Sequence, residues 1–171
     1  MNKILATERL ILREYNLDDT QFIIQLLNSE GWLAFIGDKN VHTEEDAKAY
    51  LQNGPMKSYA ENGYGLSLVA TKDDLTPIGM CGLIKRDNLD FPDIGFAFLP
   101  EYVGKGYAFE IASATITHAK ETLKLPVVYG ITKPENTSSK KLLEKIGLSL
   151  EGWYSFPNQE NKLLLLKLTF L

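Results

Sequence analysis

The segment VGKGYA, residues 103–108, places two glycines around a lysine immediately before an alanine-rich segment typical of a helix. The first N–H groups of a helix have no partners within it, and the helix dipole adds partial positive charge at that end. Glycine omits the Cβ that would keep a phosphate away from the main chain. The spacing therefore predicts an anion-binding turn with Lys105 as an added charge, although an ordinary strand-to-helix connection is the alternative.

Two known phosphate-binding loops do not fit this segment. The dinucleotide fingerprint GxGxxG requires a third glycine at the position of Phe109. A Walker A loop requires GK followed by serine or threonine, whereas GKG is followed here by Tyr107. Both kinds of nucleotide loop are therefore excluded.

A second group of polar residues lies further along the chain, in ITKPENTSSKKLLEKIGL. Asn136 and Ser139 stand at the predicted start of a helix that follows an apolar strand. Asparagine is a favoured helix cap, and Ser139 would then simply lie in the first turn. The pattern alone leaves open whether the two residues only cap the helix or also act in a site.

Composition excludes several classes of function. The chain has 171 residues and 44% hydrophobic residues, enough for one domain over residues 1–171 with its own core. The 18 basic and 22 acidic residues give a net charge of −4, which argues against nucleic acid as a partner because phosphate backbones select basic surfaces.

The ligand-forming residues are too sparse for a metal site. Cys81 is the only cysteine, and His42 and His118 have no second histidine three or four residues away, so no metal is predicted. The charged N-terminal segment does not fit a signal peptide, and the longest apolar run, residues 163–166, is too short to span a bilayer. We therefore expect a cytoplasmic protein without a membrane partner.

Apolar periodicity predicts the elements that position these residues. An alternating first strand is expected over residues 8–15, and Asp18 or Asp19 is expected to cap the first helix. A loop that holds Trp32 follows. A second helix begins at Thr43, where the helix dipole favours the carboxylates of the first turn.

The rest of the chain predicts a mixed sheet. Three antiparallel strands are expected over residues 64–71, 78–86 and 93–100, followed by a helix over 108–123 and a strand over 127–132. The strand, helix and strand form a right-handed parallel crossover. A helix over 137–147 and a hairpin of 148–156 with 162–171 close the chain. The fold class is therefore mixed α/β, antiparallel in its first half, with one parallel crossover and a C-terminal hairpin.

Together, the strand ending at Pro100, the V-G-K-G-Y-A turn and the later N-x-x-S with L-L-E-K-I-G-L resemble the GNAT family of acetyltransferases. The opening TERLILREY and the closing LSLEGWY are similar to the branch that contains the ribosomal-protein N-terminal acetyltransferases. The resemblance covers nearly the whole chain. It implies an N-acetyltransferase that uses acetyl-CoA as co-substrate and no metal.

The resemblance also implies where acetyl-CoA binds. The cleft would lie where the strand 93–99 separates from the strand 127–132. The diphosphate would rest on the main-chain amides of Gly104, Lys105, Gly106, Tyr107 and Ala108. The pantetheine arm would pair with the main chain of Ala97, Phe98 and Leu99.

The same resemblance assigns catalytic roles to three residues. An amide near Phe98 would bond the thioester oxygen as negative charge develops on it. Asn136 would hydrogen-bond the arm of acetyl-CoA, and Ser139 would donate a proton to the leaving sulfur. The acceptor amine would attack the thioester directly, without a covalent enzyme intermediate.

Four positions depart from the family pattern. Leu143 replaces a tyrosine that many members use as general acid, and Ile131 replaces a glutamate that some relatives use as base. Val103 replaces a glutamine or arginine, and Phe109 replaces a threonine common in this branch. Ser139, or water held by it, is the predicted substitute acid.

The general base is open, and that bears on the acceptor. Asp93 and Glu14 are candidates, with surface carboxylates as the alternative. An α-amine has a pKa of about 7.8 and a lysine or polyamine amine one of about 10.4, so the neutral fraction at pH 7 differs by a factor of about 400. A site without a strong base therefore favours a peptide or protein N-terminus. Polyamine, amino-acid or antibiotic amines are alternatives, as is a non-catalytic acyl-CoA-binding domain.

The acceptor pocket is predicted at Trp32, Asp93 and Tyr154. Phe35, Trp153 and Phe156 lie in the same two regions of the chain, and aromatic walls of this kind either bind alkylammonium groups or fill cores. Oligomeric state is open, with a homodimer as one alternative.

Overall fold

Leucine, isoleucine and valine dominate the strands, as in LSLVAT, VVYGIT and LLLLKLT. Such runs are typical of strands that are covered on both faces. The computed structural model describes residues 1–171 and joins eight strands into one sheet. They are β1 (Lys3–Ala6), β2 (Leu10–Arg13), β3 (Leu66–Thr71), β4 (Pro77–Ile84), β5 (Asp93–Phe98), β6 (Val127–Thr132), β7 (Ser149–Tyr154) and β8 (Leu163–Thr169).

Six α-helices cover this sheet. They are α1 (Thr20–Leu27), α2 (Glu30–Phe35), α3 (Glu44–Leu51), α4 (Lys57–Asn62), α5 (Tyr107–Glu121) and α6 (Thr137–Lys145). Short 3-10 helices occupy Leu17–Asp19 and Pro100–Tyr102, and a π-helical turn at Gln52–Met56 joins α3 to α4. None of the helices is both long enough and apolar enough to cross a membrane.

The strand order is β1-β2-β3-β4-β5-β6-β8-β7. Neighbours from β1 to β5 are antiparallel, β5 and β6 are parallel, and α5 forms the crossover between them. β8 lies between β6 and β7 and is antiparallel to both. The predicted mixed sheet, single crossover and C-terminal hairpin are therefore confirmed.

Two apolar layers fix which way each strand residue faces. Ile94 belongs to the layer with Ile111 of α5 and Leu143 of α6, whereas Leu99 belongs to the layer with α1, α2 and α3. Successive strand residues face opposite sides of a sheet. Asp93, next to Ile94, therefore faces the α1–α3 side.

The predicted first strand was wrong in length and in pattern. Residues 8–15 give only β2, and the preceding β1 was not predicted. Leu10, Ile11 and Leu12 are all buried: Leu10 and Leu12 belong to the layer with Ile111, and Ile11, on the opposite face of the strand, is 8% exposed.

The start of the first helical region also differs from prediction. Asn16 caps the 3-10 helix Leu17–Asp19, and its side chain accepts the N–H of Asp18 at 2.8 Å. Asp19 occupies the N-cap position of α1, as predicted, but its side chain makes no capping hydrogen bond to α1. The Asp19 carboxylate accepts the N–H of Asn16 at 2.9 Å and pairs with Arg13 at 2.7 Å. The second predicted helix does begin after Thr43, as α3.

Candidate active site

The glycine turn lies between the 3-10 helix Pro100–Tyr102 and α5. Gly104 and Gly106 both have φ of +81°, in the left-handed region that L-residues with a Cβ rarely adopt. Glycine is therefore required by the shape of the turn itself, in addition to the open approach that the sequence predicts.

The main-chain donors of this turn are unused. None of the N–H groups from Gly104 to Phe109 donates to another protein atom, because Gly106 offers no capping side chain and the first helical bond runs from Glu110 N to Gly106 O. A Cβ at Gly104 would meet no atom within 4 Å. The turn is thus open, and its unpaired N–H groups lie at the positive end of the α5 dipole.

Arg9 braces this turn from the β1–β2 connection, a contact that the sequence did not predict. Its Nη1 donates to the carbonyl of Lys105 at 3.1 Å, its Nε donates to Glu110 Oε2 at 2.7 Å, and its guanidinium lies 4.4 Å from the ring centre of Tyr107. Glu110 Oε1 also accepts the hydroxyl of Thr7 at 2.6 Å and the N–H of Arg9 at 2.8 Å.

These hydrogen bonds set the charge state of the Glu110 carboxyl group. Partial burial raises the pKa of Glu110, but the bonds from Thr7 and Arg9 outweigh it and leave the pKa lowered. The carboxylate is therefore ionised at neutral pH and holds Arg9 in place.

A cleft opens between β5 and β6 beside the turn. Their ladder consists of Asp93 opposite Tyr129 and Ile94 opposite Gly130, and it goes no further. The later residues of β5 therefore lose the partner strand on that side, as the predicted separation of the two strands requires.

The ladder to β4 decides which main-chain groups face the cleft. Leu99 N donates to Ile78 O at 3.0 Å, so by alternation Ala97 also bonds to β4 while Phe98 points to the other side. Of the predicted residues 97–99, only Phe98 therefore offers its N–H and C=O to the cleft. The main chains of Ala97 and Leu99 are paired with β4, and the pairing of the pantetheine arm with this segment stays a prediction.

Asn136 and Ser139 stand at the start of α6, directly after β6. The side-chain oxygen Oδ1 of Asn136 accepts the N–H of Ser139 at 3.2 Å, so Asn136 is indeed the helix cap. Its amide hydrogens and the Ser139 hydroxyl make no hydrogen bond within the protein, and both residues are half-buried. The cap thus leaves donors available to a ligand.

Leu143, at the position of the family's usual tyrosine, is a core residue. It is 1% exposed, and its side chain fills the space left by Gly130, where a Cβ would lie 2.8 Å from Leu143 Cδ2. No proton donor is available at this position. The hydroxyls of α6 belong to Thr137, Ser138 and Ser139, and of these three residues only Ser139 is half-buried.

On the α1–α3 side of the sheet, Asp93 is not the surface carboxylate of the alternative reading. It is 3% exposed and is held by Arg86, whose Nε donates at 2.7 Å to Oδ1. Burial raises the pKa of Asp93, and the Arg86 guanidinium opposes that shift. Glu14 lies at the β1 edge, where Asn2 donates to it at 2.9 Å, so it is far from the cleft.

A shallow pocket of about 250 Å³ adjoins Arg86. Arg86 stacks 4.8 Å from the ring centre of Phe156, and Tyr154 packs edge-on against Phe156. The Tyr154 hydroxyl donates to Asn88 at 2.6 Å. The structure thus brings the predicted Tyr154 and Asp93 together through Arg86, a residue that the sequence did not single out.

Trp32, the third predicted pocket residue, lies elsewhere. It belongs to α2 rather than to a loop, is 5% exposed and packs in the layer under α1 and α3. Lys133, just after β6, donates to the carbonyl of Ala34 at 3.2 Å, so α2 is tied to the edge of the cleft. Trp153 is 61% exposed on the edge strand β7.

Comparison with known proteins agrees with this geometry. A profile of the acetyltransferase (GNAT) domain matches residues 9–149. The chain belongs to the GNAT family of acetyltransferases. Membership of this family makes the protein an N-acetyltransferase.

A relative of known sequence agrees with this assignment, and two solved structures share the fold. The uncharacterized N-acetyltransferase YnaD of Bacillus subtilis is 29% identical over 150 residues, covering 88% of this chain and 85% of that protein. RimL, a ribosomal alpha-N-protein acetyltransferase in complex with coenzyme A, superposes with a TM-score of 0.83 at 15% identity over 98% of both chains. A chimera of the Vibrio cholerae spermidine N-acetyltransferase SpeG and hSSAT has a TM-score of 0.76 at 19% identity, covering 94% of this chain and 95% of that one.

Proposed function

We propose that the protein transfers an acetyl group from acetyl-CoA to the α-amine of a peptide or protein N-terminus. The observation that carries the proposal is the row of unpaired main-chain N–H groups from Gly104 to Phe109 at the mouth of the cleft between β5 and β6. A diphosphate needs several converging donors, and an extended pantetheine arm needs an unpaired strand edge.

The residues present fit such a co-substrate. Gly104 leaves open space above the turn, and the unpaired Phe98 offers one donor and one acceptor inside the cleft. Asn136 can donate its free amide hydrogens from the opposite wall. Bound acetyl-CoA would supply the acetyl group as a thioester, which is open to direct attack by an amine.

The chain's own groups then stabilise the reaction. The Phe98 N–H is directed where a carbonyl oxygen gains negative charge, an arrangement that lowers the barrier of acyl transfer. Thiols have pKa values near about 8.5, so release of a thiolate at pH 7 is uphill by roughly 2 kcal/mol unless a proton is supplied. The free Ser139 hydroxyl is in place to supply it.

The acceptor class follows from the state of Asp93. Its carboxylate is held by Arg86, so it is not free to take a proton from a strongly basic amine. An α-amine is neutral far more often at pH 7 than a lysine or polyamine amine, by a factor of about 400. The site therefore suits the α-amine.

An acetyl-transfer screen tests this proposal. Three acceptors are compared by release of free CoA: a peptide with a free N-terminus, the same peptide with a blocked N-terminus and one lysine, and spermidine. We expect turnover with the first and much less with the other two. Saturable CoA binding without transfer to any amine would favour the non-catalytic alternative, and preference for spermidine would overturn the acceptor assignment.

Thermal stability gives an independent reading of co-substrate binding. A ligand at a hundred times its dissociation constant stabilises the folded state by about 2.7 kcal/mol. We expect acetyl-CoA at millimolar concentration to raise Tm clearly. An unchanged Tm would count against the whole assignment.

The role of Ser139 is tested by Ser139→Ala. Because positioned acids contribute at least roughly a hundredfold, kcat should fall by about that factor while CoA affinity stays the same. Ser138→Ala, at the exposed neighbouring position, is the matched control and should leave kcat unchanged. Equal kcat in the two variants would remove Ser139 from the mechanism.

A further inference from the structure

We propose that Arg9 binds the same diphosphate as the glycine turn, through the edge of its guanidinium that faces Gly106. The inference rests on the proposed function, because it assigns a side chain to the anion for which that function needs the turn. Arg9 precedes Lys105 of the turn by 96 positions in the chain, and the fold brings the two residues into contact.

The free edge of the guanidinium carries this inference. Nε donates to Glu110 and Nη1 donates to Lys105 O, but Nη2 makes no hydrogen bond within the protein. A Cβ at Gly106 would lie 3.4 Å from Nη2, so this nitrogen is in contact with the turn itself. A guanidinium has five N–H donors in a planar fork that matches phosphate oxygens.

Glu110 and Thr7 hold the fork in this orientation. The Glu110 carboxylate accepts hydrogen bonds from Arg9 Nε, from the main-chain N–H of Arg9 and from the Thr7 hydroxyl. These bonds fix the orientation of the guanidinium and leave Nη2 without a partner. Because Glu110 offsets the charge of Arg9, the contribution of Arg9 to anion binding is directional hydrogen bonding more than net charge.

No other side chain at the turn supplies this kind of donor. Val103 is apolar and 66% exposed, and the Lys105 ammonium lies 5.7 Å from the ring centre of Tyr102. Arg9 is thus the guanidinium beside the turn, and it belongs to the connection between β1 and β2 rather than to the turn.

The test compares Arg9→Gln with the matched control Lys120→Gln, which removes the same charge from the exposed far end of α5. Binding of CoA, and of 3′-dephospho-CoA, which keeps the diphosphate, is measured by titration calorimetry. Turnover is measured in parallel with acetyl-pantetheine, a thioester without any diphosphate.

For Arg9→Gln we expect the Kd of CoA and of 3′-dephospho-CoA to rise about ten- to a hundredfold, the range of a hydrogen bond to a charged group. Turnover with acetyl-pantetheine should stay within about twofold of wild type, which a merely structural role of Arg9 would not allow. Lys120→Gln should bind CoA like wild type.

Arg9→Lys keeps the charge but loses the planar fork, and it remains informative if Arg9→Gln fails to fold. We expect roughly tenfold weaker CoA binding, the contribution of one charge-assisted hydrogen bond. Wild-type CoA affinity in folded Arg9→Lys or Arg9→Gln would overturn the inference, as would an equal loss with acetyl-pantetheine. Because the calorimetric arm needs no acceptor amine, failure of the acetyl-transfer screen alone overturns the acceptor assignment and leaves the assignment of Arg9 standing.

Discussion

The N-terminal ends of α3 and α5 satisfy their main-chain N–H groups in opposite ways. At α3, the Thr43 hydroxyl accepts the N–H of Asp46 at 3.1 Å, and the Asp46 carboxylate accepts the N–H of Thr43 at 3.1 Å. At α5, Gly106 has no side chain that could accept, and the donors stay unpaired. A helix end closed by its own side chains contributes to stability, whereas one left open keeps its donors for a ligand.

The acidic residues show the same division. The first turn of α3 carries Glu44, Glu45 and Asp46, which would repel an anion. The first turn of α5 carries Glu110 alone, and Arg9 engages it. The two helix ends therefore differ in charge as well as in hydrogen bonding.

The largest expected effect comes from replacing both glycines of the turn by alanine. An L-residue in the left-handed region costs about 1–2 kcal/mol, so Gly104→Ala with Gly106→Ala should drive the turn out of its binding shape. We expect CoA affinity, measured by titration calorimetry, to fall by about a hundredfold.

Gly63→Ala is the matched control, because Gly63 has a φ of +78° and, like Gly104, open space around a Cβ. It should lower the free energy of unfolding by about 1 kcal/mol and leave CoA affinity unchanged. Equal effects of the two substitutions on CoA affinity would mean that the turn at α5 has no special role.

At α3 we expect a smaller effect, on stability rather than on CoA affinity. Thr43→Ala removes the capping hydroxyl and should lower the free energy of unfolding by about 1 kcal/mol without changing CoA affinity. Thr43→Ser keeps the hydroxyl and should restore most of the stability. Weaker CoA binding in folded Thr43→Ala would show that the α3 end also serves the ligand.

The smallest effect concerns pH. Hydrogen bonds from the N–H groups of His42 and Thr43 lower the pKa of Asp46, and the net effect on Glu110 is also a lowered pKa. A carboxylate whose pKa is lowered on folding stabilises the folded state at pH values above its unfolded pKa of about 4. This stabilisation is lost as the pH falls through the folded pKa.

Urea unfolding between about pH 3 and pH 6 measures this loss. Glu110→Gln should show a shallower decline of stability toward low pH than wild type, because the substituted side chain does not titrate. A curve parallel to that of wild type would mean that the ionisation of Glu110 is not linked to folding.

The sequence predicted the parts of the site that depend on local pattern. Two glycines before an alanine-rich helix predicted the open turn, and an asparagine three residues before a serine predicted the start of α6. Both depend on residues that are close together in the chain, where spacing fixes geometry.

The contacts between distant segments were not predictable in this way. Arg9 and Glu110 are separated by 101 positions, and nothing local marks them as partners. The break in the ladder after Ile94 depends on how β5 and β6 pack, and the sequence of neither strand alone predicts it. Trp32 was misassigned to a loop because α2 has only six residues and contains a glycine, which lowers helix propensity.

The central claim is that the unpaired N–H groups of the α5 turn bind the diphosphate of acetyl-CoA, and amide chemical shifts measure it directly. Titration of the ¹⁵N-labelled protein with CoA should shift the amides of Gly104, Gly106 and Ala108 strongly and leave those of Glu44 and Asp46 in place. Pantetheine, which lacks the diphosphate, should not shift the turn amides. Saturation by CoA with the turn amides unmoved would contradict the account.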